Sequence, residues 1–126
     1  MAGCHDTSTV RARAPQATVL LIQYLPALAA DAATCPALPM RPAQAVAARH
    51  IYDGLITATR QAAQATGTET ISSPNADSHG ACAAEPWVTG LVNPLTPTGS
   101  AAAGSIHPNQ WGTTQVAQLI IARIRD

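Results

Sequence analysis

The chain has 126 residues, 47% of them hydrophobic, with two Trp, two Tyr, no Phe, and seven basic residues balanced by seven acidic ones. That length suits one compact domain, and with alanine dominating the apolar fraction the core it builds is thin. A net charge of zero without long charge runs excludes the electrostatic footprint of a nucleic-acid binder, so small neutral partners are expected instead.

The first six residues, Met-Ala-Gly-Cys-His-Asp, lack the basic start and apolar segment of a secretion signal. Residues 1–14 are polar and unpatterned and read as a flexible lead ended by Pro15, with residues 15–126 forming the rest of a single domain. The longest strongly apolar stretch, residues 17–30, is broken by Gln23, Tyr24 and Pro26. It falls short of the roughly 20 residues needed to cross a bilayer, so no transmembrane helix is expected. Within it, residues 18–24 (Thr-Val-Leu-Leu-Ile-Gln-Tyr) are a β-favouring run bounded by prolines, as for a strand covered on both faces of a parallel sheet.

Residues 31–42 hold Cys35 and three prolines and read as a loop. From 42 to 65, Ala47, Ile51, Leu55, Ala58 and Ala62 recur at helical spacing, while Arg49, Asp53 and Arg60 mark a solvated face. His50, beside the apolar stripe, reads as a partly buried structural residue. Gly67 supplies a C-terminal stop, and residues 68–71 read as a second short strand, completing one strand-helix-strand crossover. Residues 72–106, rich in Ser, Pro, Gly, Asn and Thr, are long for an inert connection and are more typical of a functional loop.

The final element is amphipathic. Residues 113–124 place Val116, Leu119, Ile120 and Ile124 on one face, and Arg123 and Arg125 complement the dipole at its C-terminus. It opens from Ser105-Ile106-His107-Pro108-Asn109-Gln110-Trp111-Gly112. A helix N-terminus carries partial positive charge, which favours a neutral imidazole able to accept a proton, so His107 is the candidate general base. Two strands cannot complete a doubly wound sheet, so the chain reads as the carboxyl half of an α/β domain.

The block Ser78-His79-Gly80-Ala81-Cys82-Ala83-Ala84-Glu85-Pro86-Trp87-Val88, followed by His107-Pro108-Asn109-x-x-Gly112, resembles the carboxyl half of the SGNH hydrolases, the GDSL-type lipases and esterases, and is closest to their secreted actinobacterial branch. Upstream, residues 11–17, the apolar run 19–24 and Pro26 resemble that branch's helix end, central strand and proline-containing loop, so the resemblance spans about residues 10–126. It implies a flavodoxin-like α/β/α sandwich, here lacking its amino-terminal strands, that hydrolyses small-molecule or lipid esters without a cofactor. It also implies secretion, although no signal peptide is expected from the sequence. Only the histidine of the family's catalytic set maps, onto His107. The Gly-Asp-Ser block and the Gly and Asn blocks of the oxyanion hole find no match, and Ser8, Ser72 and Ser73 have the wrong neighbours. Where many members carry an orienting Asp three residues before the histidine, this chain has Gly104, whose carbonyl becomes the candidate partner for His107 Nδ1. The chain alone is therefore expected to be inactive or nearly so, and to need an amino-terminal half.

The same residues carry plainer readings. His107 could be a helix-capping residue, an alternative that the flanking Pro-Asn-x-x-Gly disfavours. The resemblance implies a Cys35–Cys82 disulfide with Cys4 unpaired; two buried free thiols are the alternative in a reducing compartment. Trp87 and Trp111 either line an acyl-binding groove or belong to the core. His79-x-x-Cys82 has no second ligand pair at zinc spacing, so no metal is expected, and Asp77 within Asn75-Ala76-Asp77-Ser78 reads as turn chemistry rather than a replacement acid. A catalytically inactive binding module of the same fold is the second functional reading.

Overall fold

The computed structural model of the chain describes residues 2–91 and 104–126, with side chains from Thr7 onward. Helix α1 (Ala2–Arg13) is followed by strand β1 (Leu20–Ile22), helix α2 (Pro42–Thr66), strand β2 (Glu69–Ile71), a 3-10 turn at Ala76–His79 and helix α3 (Gln110–Arg125). The strands form a two-stranded parallel sheet in the register Leu20 to Glu69, Leu21 to Thr70 and Ile22 to Ile71. The chain is thus of mixed α/β character around one parallel crossover. Among the described residues no helix is long and apolar enough to cross a membrane.

The chain divides into two compact units. The first comprises Met1–Tyr24 and Asp53–Ser72, and so contains α1, the sheet and the C-terminal part of α2. Both strands are shorter than the segments expected for them, residues 18–24 and 68–71. The sheet is extended by Gln23, whose N–H donates to the Ile71 carbonyl at 2.9 Å. Helix α2 stops where the sequence indicates: Gly67 adopts φ +60°, its N–H reaches the Gln64 carbonyl and the Thr68 N–H reaches that of Ala63. This pair of bonds satisfies two terminal carbonyls and requires a left-handed residue between them. Ala63, Thr68 and Ile71 are buried beside it.

Residues 2–13 of the lead form helix α1. Helix α1 has no apolar stripe for a periodicity argument to find, but Ala12, Arg11 and Arg13 are strong helix formers and the two arginines suit its C-terminal end. Arg11 also donates to the Gly67 carbonyl, tying the helix to the end of α2, and Thr7 is buried.

The covered face of α2 differs from the expected one. Ala45 and Ala63 are buried and Tyr52, Ile56 and Thr59 partly so, whereas Val46, Ile51 and Leu55 are exposed, Ile51 by 75%. The expected stripe is rotated by about one residue, or roughly 100° on a helix of 3.6 residues per turn. Arg49, assigned to the solvated face, is mostly covered, and His50 is exposed rather than partly buried.

The second unit comprises Leu25–Tyr52 and Ser73–Asp126. Its core is small: Leu28, Leu38, Ala45 and Ala81 are buried together, with Ala48, Met40 and Leu91 packed against them. The chain around it is largely loop, held by scattered main-chain bonds such as Ala81 N to Ala27 O and Leu91 N to Ala37 O, both 2.8 Å. Cys35 and Cys82 are joined in a disulfide across 47 residues of sequence, which removes the free-thiol alternative. The side chain of Cys4 lies outside the described residues, as does most of the later part of the loop at 72–106.

Candidate functional site

Three elements of the second unit meet at one place: the turn around residues 79–87, the short segment 104–109 and the start of α3. Val88 and Pro108 form an antiparallel bridge, flanked by Thr89 N to His107 O and Asn109 N to Trp87 O, both 2.8 Å. This ladder fixes the chain on both sides of His107. Pro108 suits it because proline lacks an N–H to leave unpaired.

Asn109 then starts the helix. It is the N-cap of α3, its side-chain oxygen accepting from the Gly112 N–H at 3.0 Å, while its amide nitrogen donates to the Pro86 carbonyl. One side chain therefore caps the helix and clamps the 86–88 segment to it. Gly112 completes the arrangement: a Cβ there would collide with the Trp87 carbonyl oxygen and crowd Leu25. The Pro-Asn-x-x-Gly that distinguishes the motif in sequence thus has a structural cause in three of its positions.

His107 is exposed, and lies two residues ahead of the N-cap rather than at the first turn. The capping residue is Asn109, so the capping alternative for the histidine falls. Its described hydrogen bond runs through its own carbonyl. Among the described residues no bond joins its ring to the carbonyl of Gly104, which sits at φ +91° in a turn shared with Ile106 at φ +59°.

The imidazole that does have an oriented ring is His79. Its Nδ1 lies 2.8 Å from the Glu85 carbonyl oxygen; a carbonyl only accepts, so Nδ1 is the donor. In the neutral ring this leaves Nε2 as an acceptor. The ring stacks on Trp87 with centroids 3.9 Å apart and planes within 2°. Trp87 N–H in turn donates to the His79 carbonyl at 2.8 Å, closing the 79–87 turn on itself. Histidine and tryptophan are both quoted in the sequence block, but only the folded turn places one on the other.

These rings border a cavity of about 620 Å³ lined by His79, Glu85, Trp87, Asn109, Trp111 and Gln115, with Ala84 and Pro86. Both tryptophans expected at a substrate groove therefore face the same space. Trp111 is 72% exposed, which removes the core reading for it, while Trp87 is half-buried. His107 is not among the residues lining this cavity.

Asp77 is accounted for without catalysis. It pairs with Arg49, which also donates to the Leu28 carbonyl at 2.8 Å and lies over the Tyr52 ring, 4.9 Å from its centroid. The preceding Asn75 has φ +59°, the left-handed backbone that makes asparagine a turn residue. Among the described residues no group of three or more His, Cys, Asp or Glu could hold a metal ion, and the sulfur of Cys82 beside His79 is committed to Cys35. No protein-family model matches the chain, and no curated protein matches it.

Proposed function

We propose that this chain is the histidine-bearing part of an SGNH-type carboxylic ester hydrolase, with His107 as general base toward a serine that these 126 residues do not supply. The observation that carries the reading is the setting of His107: an exposed imidazole on a segment pinned by the bridge to Val88 and by the Asn109 cap. The Cys35–Cys82 disulfide and the parallel strand-helix-strand unit support it, since both are features that the family resemblance implies. In this chemistry the serine oxygen attacks the ester carbonyl as His107 takes its proton. The same proton then goes to the departing alcohol, and water releases the acyl group by the reverse sequence.

The test is hydrolysis of p-nitrophenyl acetate and butyrate by this chain and by a form extended upstream to include a Gly-Asp-Ser block. The short chain is expected at background. The extended form is expected to turn over and to lose about three orders of magnitude or more in kcat on His107→Ala. Turnover indifferent to that substitution, or an inert extended form, refutes the reading; strong His107-dependent turnover by the short chain would place the nucleophile within it.

A second reading, a binding module without chemistry, is favoured by one observation: the cavity between the tryptophans does not include His107 in its lining.

A further inference from the structure

The cavity at the 79–87 turn combines two kinds of surface. One is aromatic: Trp111 offers an exposed indole, while the Trp87 ring is backed by His79. The other is polar and rich in acceptors. The Glu85 carboxylate accepts only, and His79 Nε2 has no hydrogen bond among the described residues once Nδ1 is given to the Glu85 carbonyl. Gln115 adds an amide that can donate or accept. Asn109 is oriented by its cap and clamp bonds, which use one N–H of its amide and one lone pair of its oxygen.

We infer that this cavity binds a neutral sugar ring, with one C–H face against Trp111 and hydroxyls donating to Glu85 and His79 Nε2. A pyranose carries donors around its rim and an apolar face on its flat side, matching both surfaces at once. A fatty acyl chain would gain nothing from the exposed carboxylate and would cover the half-buried imidazole without giving its nitrogen a partner. A quaternary ammonium would suit the carboxylate and the indole but has no N–H for His79 to accept. The volume, about 620 Å³, falls in the range of small-molecule sites and accommodates one or two sugar rings. The inference goes beyond the esterase reading and stands without it, since binding here requires neither His107 nor a serine.

Both tryptophans of the chain line this cavity, so intrinsic fluorescence reports on it directly. The full chain is titrated with cellobiose, xylobiose and N,N′-diacetylchitobiose, and separately with tetramethylammonium chloride and sodium butyrate. A saturable change in emission is expected for at least one disaccharide and for neither of the other two compounds. Trp111→Ala, which removes an exposed ring and leaves Trp87 as reporter, should weaken that binding about tenfold or more. Glu85→Gln should weaken it less, because an amide still offers one acceptor. His79→Ala tests the second acceptor, with circular dichroism confirming that the turn survives. No saturable response to any of the three sugars, saturation by tetramethylammonium or butyrate instead, or sugar binding undiminished in Trp111→Ala overturns the inference. Because no turnover is measured, these outcomes are separate from the fate of the esterase reading.

Discussion

Gly112 shows how one residue type can be required by an atom far away in sequence. Its missing side chain admits the Trp87 carbonyl to the start of α3, and Gly112→Ala should cost about 1–3 kcal/mol, the usual range for overpacking, in a urea melt. Gly54 is the contrasting case. It lies within α2 with nothing within 4 Å of an added Cβ, so Gly54→Ala should raise stability by about 0.5–1 kcal/mol in the same experiment. The Arg49–Asp77 pair divides just as unequally. Asp77 is 52% exposed, so Asp77→Asn should change stability by less than about 1 kcal/mol, discounted for solvent screening. Arg49 is only 12% exposed and serves the Leu28 carbonyl as well, so Arg49→Ala strands a covered acceptor and should cost about 1–3 kcal/mol. Asn109 and Gly112 were visible in the sequence as part of a family motif, but their clamp and close-approach roles were not, because both depend on the carbonyls of Pro86 and Trp87.

At the scale of elements, short-range signals were legible and facing was not. Gly67 ends α2 because a left-handed residue is needed after a helix, a rule that operates within five residues. The direction of α2 is another matter. Alanine occurs so often along it that several stripes satisfy helical spacing, and which one is covered depends on what packs there; the fold chose Ala45, Tyr52, Ile56 and Ala63 over Ile51 and Leu55. The expected face of α3 is likewise only partly covered: Val116, Leu119 and Ile120 are half-buried, Ile124 is 69% exposed and Gly112 is its buried residue. With so little packing, α3 leans on its cap. Asn109→Ala should cost about 1–2 kcal/mol, at the upper part of the range for caps because the Pro86 carbonyl also loses its donor. Loss of helical circular dichroism ahead of the main unfolding transition would register it. Asn109→Asp, which keeps the cap acceptor but not the donor to Pro86, should recover part of that loss.

Over the whole molecule, the thin core foreseen from an aromatic-poor, alanine-rich composition is what the second unit shows, with Leu38 and Val88 among its few large fully buried side chains. A loop-rich unit of that kind gains most from a covalent tie. Reducing the Cys35–Cys82 bridge, which closes 47 residues of separation, should lower stability by about 3–4 kcal/mol, seen as a lower thermal midpoint in dithiothreitol than in its absence. The double substitution Cys35→Ser with Cys82→Ser should reproduce that midpoint and be insensitive to the reductant. The apolar run at residues 18–24, Gly67 and the amphipathic pattern near the C-terminus pointed to a parallel crossover and a terminal helix, and the motif blocks implied the Cys35–Cys82 pairing that the structure then chose over free thiols. These features follow from local backbone preferences and from residues that travel together in sequence. The folded chain alone decided that Asn109 rather than His107 caps α3, that His79 is the ring held on Trp87, and that both tryptophans border one cavity without His107. Each of those outcomes depends on a carbonyl or a ring brought from a separate segment by tertiary contact, and the spacing of residues along a chain carries no record of such a meeting.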